Sequence, residues 1–284
     1  MKSRIALVTT CMGRLAHLQQ TLPGMAQQAD SECILVDYAC PEHSGEWAER
    51  NCPTVKVVRI EGASGFNLAR ARNAGAAACE ADWLCFIDAD VRCAPGFAAE
   101  VSSLLEPGFY YRPLPPDILT WGTAIVARSD FERVGGYDEV MVGWGGEDDD
   151  LYARLQFAGC RMGGFPGHLL QGIEHGDAAR VRHYAIKDRE LNHRINALYL
   201  CIKSDMSRLA GRPVPLEIRR TLYADLSRIM PEADATKTSA QMNIDLARVP
   251  FLQGRMLDVR LEYTLGAAPG PATADNLKNV KRDR

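Results

Sequence analysis

Two acidic clusters carry the chemistry available to this chain. Asp88-Ala89-Asp90 follows the apolar run Trp83-Leu84-Cys85-Phe86-Ile87, and Glu147-Asp148-Asp149-Asp150 follows Gly143-Trp144-Gly145-Gly146. Two carboxylates two residues apart at a strand end can hold Mg²⁺ or Mn²⁺ while phosphate oxygens fill the remaining positions. The second cluster reads as the first turn of a helix, where acids suit the macrodipole and the unpaired N–H groups. Either cluster alone is ordinary surface chemistry. The glycines ahead of the second let the backbone come close to a ligand, and Trp144 offers a flat apolar face for a sugar ring. Consecutive helical side chains point about 100° apart, so Asp148, Asp149 and Asp150 cannot all face one atom.

Such residues need a scaffold that brings them together. Short apolar runs at 4–9, 33–38, 55–60 and 83–88 read as buried strands, and helical patterns at 15–28, 44–50 and 67–79 lie between them. This alternation predicts an α/β fold with a mostly parallel sheet and helices on both faces. In such sheets ligands sit beyond the carboxyl ends of the strands. Thr9-Thr10, Asp37 and Asp88-Ala89-Asp90 all fall at those ends, which predicts a single nucleotide cleft. The turn Thr10-Cys11-Met12-Gly13-Arg14 has neither Gly-x-Gly-x-x-Gly nor Gly-Lys-Ser/Thr. That disfavours a dinucleotide dehydrogenase and a phosphate-loop NTPase.

Farther along, the pattern predicts a small helix at 95–105, a Pro-rich loop at 112–116 and a strand at 121–127. Ser129-Asp130-Phe131-Glu132 reads as a capping box opening a short helix. Gly135-Gly136 would stop it, and another helix would run over 147–158. Beyond residue 176 two amphipathic helices are expected, one through Leu191, Ile195, Leu198 and Ile202, the other through Ile218, Leu222, Leu226 and Ile229. Alternation over 257–265 fits an edge strand. The expected organisation is a core over 1–176, a helical extension over 177–266 packed on it, and a disordered tail over 267–284.

Bulk properties narrow the function classes. The chain has 284 residues, a formal net charge of −3, 46% hydrophobic and 24% charged residues, ordinary values for a globular protein and poor ones for a nucleic-acid binder. None of the nine cysteines forms a Cys-x-x-Cys pair, which fits a reduced, cytoplasmic setting. No secretory signal is visible, and no apolar run approaches the roughly 20 residues that span a bilayer. Residues 180–228 hold eleven Lys/Arg against five Asp/Glu. The basic helices there are expected to pack on their own domain, with peripheral contact at an anionic inner membrane face as the alternative.

Taken together, the motifs resemble those of inverting glycosyltransferases of the GT-A fold. Ile5-Ala6-Leu7-Val8-Thr9-Thr10 with Asp37 resembles the nucleotide-binding half of that family. Ala71-Arg72-Asn73-Ala74-Gly75 and Phe86-Ile87-Asp88-Ala89-Asp90 resemble its Arg-Asn-x-Gly and Asp-x-Asp segments. Gly135-Gly136-Tyr137-Asp138-Glu139 and residues 143–150 are close to the acceptor-side signature of β-1,4-galactosyltransferases and bacterial chondroitin-type polymerases. This last match is the most specific, and the resemblance covers about residues 4–176.

The resemblance implies a mixed sheet flanked by helices, a Mn²⁺ (or Mg²⁺) cofactor, a UDP-sugar donor with a galactose-type sugar favoured, and a glycan or lipid-linked saccharide acceptor. Residue by residue, it implies that Thr9, Asp37 and Arg72 lie on the nucleotide side, with Asp37 on the uracil. Asp88 would hold the ribose or assist the metal, and Asp90 would ligate it. Trp144 and Glu147 would bind the acceptor, and Asp148 would be the catalytic base, with Asp149 or Asp150 capping or solvated. His175 falls at a late metal-ligand position. One departure stands out: Gly172 occupies the place of a Met ligand three residues before it. The alternative reading is a non-catalytic UDP-sugar- or glycan-binding protein on the same fold. A sugar-1-phosphate nucleotidyltransferase is disfavoured, because the first turn lacks that group's glycine-rich basic loop.

Overall fold

The computed structural model describes residues 5–63, 65–174, 176, 180–236, 240–250 and 256–265. Seven strands form the main sheet: β1 (Ile5–Cys11), β2 (Ser31–Tyr38), β3 (Lys56–Ile60), β4 (Trp83–Phe86), β6 (Phe109–Leu114), β7 (Ala124–Ala127) and β8 (Arg161–Pro166). Their order is β3-β2-β1-β4-β7-β6-β8. The first four are parallel, β7 is antiparallel to both its neighbours, and β8 is parallel to β6. A small antiparallel pair, β5 (Val91–Cys93) with β9 (Leu170–Gly172), stands apart from that sheet.

Successive strand residues point to opposite faces, and β1 shows the consequence. Ile5 and Leu7 enter one core with Leu18, Leu22 and Met25 of α1 (Leu15–Ala26) and Ala48 of α2 (Ser44–Asn51). Ala6 and Val8 enter the other with Ala69, Ala71 and Ala76 of α3 (Leu68–Ala78). The second core also takes Phe131 of α5 (Arg128–Arg133) and Leu151 and Leu155 of α6 (Glu147–Phe157). Helix α4 (Phe97–Ser102) joins the first core through Phe97 and Val101. The strands of both acidic motifs' neighbourhoods are thus clamped between two apolar layers.

Two local expectations are corrected. The Pro-rich stretch at 112–116 is not all loop, because Arg112, Pro113 and Leu114 belong to β6. Beyond Tyr111, β6 pairs with β8 but no longer with β7, so a residue without an N–H is tolerated there. Helix α5 begins at Arg128 with Ala127 as N-cap and no side-chain cap bond. Ser129 therefore lies inside the first turn. The chain turns directly from β7 into the helix because Arg128 is anchored to the carbonyls of Ala76, Cys79 and Ala81.

The chain divides into two compact units, Met1–Leu200 and Cys201–Arg284. Helix α7 (Arg189–Ala210) starts in the first. The second contains α8 (Leu216–Thr236) and an antiparallel hairpin of β10 (Ala240–Pro250) and β11 (Met256–Leu265). The alternation over 257–265 marks β11, while β10 was not legible in the sequence. The tail over 267–284 lies outside the described residues. Among the described residues no helix is long and apolar enough to cross a membrane.

Candidate active site

Asp88-Ala89-Asp90 leaves the sheet just past β4. The Ile87 N–H still donates to Val8 O at 3.0 Å, and the turn closes with Val91 N–H to Asp88 O at 3.0 Å. Thr21 of α1 donates its hydroxyl to Ala89 O at 2.8 Å, and Ile173 N–H donates to Asp90 O at 2.7 Å. These bonds fix the turn from both sides. Asp88 and Asp90 then face a pocket that Thr10, Arg14, Gly122 and Trp144 also line. Arg14 Nη1 donates to Asp90 Oδ2 at 2.5 Å. A wider cleft of about 640 Å³ shares Met12, Phe66, His183 and Tyr184 with this pocket and adds the cations Arg70 and Lys187.

Behind the pocket wall lies a buried ionic cluster centred on Arg72, which is 2% exposed. Its Nη1 donates to Asp148 Oδ1 at 2.5 Å and its Nη2 to Asp88 Oδ1 at 2.9 Å. Glu147 Oε1 is 3.6 Å from Nη1, and the guanidinium lies 5.0 Å from the centroid of the Tyr137 ring. Tyr137 also donates its hydroxyl to Asp148 Oδ1 at 3.3 Å. Burial opposes the Arg72 charge, but the Asp148, Asp88 and Glu147 carboxylates more than offset it and hold the group protonated. Burial pushes the Asp148 carboxyl well above the usual carboxylate range. Arg72 pulls it back, while the charges of Glu147 and Asp88 push it further up. Glu147 is raised as well, again chiefly by burial. One of its oxygens, Oε2, is buried with no hydrogen-bond partner, an acceptor without a donor at the edge of the cluster.

Gly122 is the thin point between this cluster and the pocket. A Cβ there would lie 2.9 Å from Asp88 Oδ2, 3.0 Å from Arg72 Nη2 and 3.2 Å from Asp148 Oδ2. Only a residue without a side chain lets the pocket wall pass so close to the carboxylates.

Helix α6 reaches this position because of the glycines before it. Gly146 is its N-cap at φ +90°, a left-handed conformation that disfavours side chains. Asn196 of α7 donates to Gly145 O at 2.5 Å, and Tyr199 donates its hydroxyl to Asp138 Oδ2 at 2.8 Å. Of the two acids expected to cap or be solvated, Asp149 is partly exposed and Asp150 is not. It is fully buried and accepts from Arg154 Nε at 2.8 Å. Arg154 in turn donates to the carbonyls of Val134 and Gly136. The second acidic cluster is therefore split by helical geometry: Glu147 and Asp148 turn toward Arg72, and Asp150 toward the glycine turn after α5.

The predicted residues fall into three groups. Asp88, Asp90 and Trp144 line the pocket, and Glu147 and Asp148 lie directly behind it. Trp144 stacks near Arg189 and Arg180, whose guanidinium carbons are 5.1 and 5.8 Å from its ring centroid. Thr9, Asp37 and Arg72 are elsewhere than on the pocket surface. Thr9 is fully buried in β1, and its neighbour Thr10 lines the pocket instead. Asp37 accepts backbone N–H groups on both oxygens, from Cys40 at 2.8 Å and Gly45 at 2.7 Å. Arg72 bridges the two acidic motifs. His175 lies outside the described residues. Arg14, Gly122 and Arg154 were not singled out by sequence, and Tyr137 appeared only within the Gly135–Glu139 motif with no role of its own, since a lone Arg or Gly carries no signal until its partner is known.

Asp88 and Asp90 fit a divalent cation as hard-oxygen donors on one pocket wall. Among the described residues no group of three His, Cys, Asp or Glu side chains converges on a metal position. The pair is therefore a partial donor set, one that a diphosphate and water would complete.

Comparison with known proteins agrees with this architecture. Residues 6–108 match the model of glycosyl transferase family 2, and residues 109–183 match that of the N-terminal domain of galactosyltransferase. Beta-1,4-galactosyltransferase 5 of Danio rerio is 30% identical over 127 residues, which cover 42% of this chain and 30% of that protein. The chain spans about a third of the length of the curated relatives it matches. Two solved structures share the fold. One is a mannosyltransferase from Pyrobaculum calidifontis in complex with GDP-Man and Mn²⁺ (TM-score 0.53, 17% identity, covering 83% of this chain and 73% of that one). The other is GalNAc-T7 with UDP, GalNAc and Mn²⁺ (TM-score 0.54, 16% identity, covering 83% and 57%). The fold is thus the GT-A fold, and the chain resembles glycosyltransferases over residues 6–183. More particularly, a stretch similar to glycosyl transferase family 2 and one similar to the galactosyltransferase domain meet at the Arg72–Asp148 bond.

Proposed function

We propose that the chain transfers a hexose or N-acetylhexosamine, galactose-type favoured, from a UDP-sugar to an acceptor hydroxyl on a glycan or lipid-linked saccharide, with inversion and with Mn²⁺ or Mg²⁺. The observation that carries this reading is the Arg72 bridge. One guanidinium holds Asp88 of the donor-side motif and Asp148 of the acceptor-side motif within hydrogen-bond distance. Asp88 and Asp90 would hold the cation, which when bound neutralises charge on a departing diphosphate. Phe66 and Tyr184, which line both cavities, offer faces for the base, and Arg70 and Lys187 lie in the wider cleft beside them. Trp144 presents a ring to the incoming sugar. The unpartnered Glu147 oxygen is an acceptor for one of its hydroxyls, which would bring the attacking hydroxyl to Asp148.

Asp148 then takes the proton. A carboxylate raised toward neutrality by burial is a stronger base than an exposed one, and a positioned base contributes typically 10²–10⁴-fold. Arg72 keeps the carboxylate oriented and opposes the upward push of burial. A single base behind one wall fits a single in-line displacement, hence inversion at the anomeric carbon.

The test is release of UDP from a panel of UDP-sugars with and without Mn²⁺, in wild type and Asp148→Asn. Turnover with one sugar, lost by about 10²–10⁴-fold in the variant while UDP binding persists, is expected. Silence with every sugar and no Mn²⁺-dependent UDP binding would overturn the reading in favour of a binding protein.

A further inference from the structure

Arg112 differs from the other arginines packed against the sheet in having no acceptor. Arg72 holds Asp88 and Asp148, Arg128 holds three carbonyls, and Arg154 holds Asp150. Arg112 has two aromatic rings instead. Its guanidinium carbon lies 3.9 Å from the ring centroid of Trp121 and 4.5 Å from that of Tyr152. These rings are fixed in turn. Tyr152 stacks on Tyr110 with centroids 5.4 Å apart and planes 9° from parallel, and its hydroxyl donates to Trp121 O at 3.4 Å.

Among the described residues no carboxylate, carbonyl or hydroxyl accepts from Arg112. Its Nε is buried without a partner, whereas Nη1 and Nη2 stay at the surface. The aromatic contacts hold the charge in place without neutralising it. A guanidinium stacked in this way is pre-oriented, and its Nη edge forms a fork that fits the two oxygens of a carboxylate or phosphate.

The position of Arg112 ties this fork to the pocket. Strand β6 is antiparallel to β7, which is antiparallel to β4. Strands β6 and β4 therefore end at the same edge of the sheet, the edge that carries Asp88 and Asp90. Tyr152 follows Asp148 by one turn of α6. Trp121 precedes Gly122, the thin point of the pocket wall, and Ile118 and Leu119 of the same loop line the pocket. Trp121 is 42% exposed, which leaves ring surface open to a sugar.

We infer that Arg112 and Trp121 form a subsite for an anionic sugar of the acceptor, with the Nη fork on a carboxylate or phosphate and the Trp121 ring on the sugar. The acceptor role rests on the proposed glycosyl transfer; the anion site does not. Trp144 and Glu147 already take the sugar that carries the attacking hydroxyl. The charge then belongs to another unit, and the acceptor class is an anionic oligosaccharide.

The test follows the Trp121 indole N–H signal of the isotope-labelled full chain, assigned by triple-resonance spectroscopy. The chain is titrated with methyl glucuronide, with the phosphate ester of methyl glucoside, and with neutral methyl glucoside. At least one charged glycoside should shift the Trp121 signal with a dissociation constant roughly tenfold or more below that of the neutral one. A response to the glucuronide alone makes the anion a uronate, and a response to the ester alone makes it a phosphate. Arg112→Gln should abolish the preference, and Arg112→Lys, a charge without a fork, should keep only part of it. Equal responses to charged and neutral glycosides, no response, or a preference that survives Arg112→Gln would overturn the site. The wild-type titrations need no substitution, so a variant that fails to fold does not remove the test. Silence in the UDP-release assay with the Trp121 preference intact would remove the transfer reading and leave the anion site. Turnover of a UDP-sugar with no Trp121 preference would do the reverse.

Discussion

Two ion pairs in this molecule have the same donor atom, the same acceptor type and the same length. Arg14–Asp90 and Arg72–Asp148 each close at 2.5 Å through Nη1 and a carboxylate oxygen. Their surroundings separate them. Arg14 keeps a quarter of its side-chain surface, at the mouth of the pocket, while Arg72 keeps 2%. A partly solvated pair gains little net energy and exchanges partners readily, which suits a carboxylate expected to hand itself to a metal. A buried pair cannot come apart cheaply, because each charge would be left without water. On the proposed function the first pair would be a reversible placeholder and the second a fixed support.

The largest expected effect follows from breaking the support. Arg72→Met leaves Asp148, Glu147 and Asp88 crowded without their cation, and removing one partner of a buried pair costs about 3–5 kcal/mol. At about 2–4 °C per kcal/mol for a protein of this size, Tm at neutral pH should fall by roughly 6–20 °C. The sign with pH follows from the raised carboxyls. In the variant the native state binds protons more tightly than the unfolded chain, so its deficit shrinks as pH falls and the carboxyls protonate. A melting curve series that shows a constant deficit, or a loss below about 1 kcal/mol, would dissolve the contrast between the pairs.

A middle-sized effect sharpens the role of burial in tuning the base. Glu147 is one of the charges that raise Asp148. If Asp148 is the base, the acid limb of kcat/KM in wild type should lie above the ordinary carboxylate range. Glu147→Gln removes a neighbouring charge, so the limb should move to lower pH even as acceptor KM rises. A limb that stays put would mean another group sets it.

The fold and the site were legible to different depths. Strand periodicity and the Gly-rich entry to α6 are local patterns, and they position the acidic motifs where the sequence placed them. What the sequence could not supply was pairing across 76 positions, the separation of Arg72 from Asp148. Asp37 shows the same limit from the other side. Its position at a strand end is equally right for a ligand or for capping the chain's own N–H groups, and only the structure reveals that Cys40 and Gly45 use both oxygens. The hairpin partner β10 was hidden because its register with β11 slips between Leu246 and Val249, which interrupts the period-two signal.

The smallest effect on stability, and the sharpest discrimination, comes from Arg14→Ala. Loss of a partly exposed pair should change stability by no more than about 1 kcal/mol, a shift in Tm of roughly 4 °C at most. Its consequence should appear in the pocket instead. With Arg14 gone, Asp90 no longer exchanges a guanidinium for a cation, so Mn²⁺ alone should bind more tightly by calorimetry. The donor KM should rise, because the pocket loses a positive charge that faces the diphosphate. If Mn²⁺ binding is unchanged, Asp90 is not the carboxylate that meets the metal, and the Arg14 pair is as structural as that of Arg72. If Mn²⁺ binds more tightly while Arg72→Met destabilises the whole core, the two pairs differ in function as they differ in burial. The distance between charges would then matter less than the water left around them.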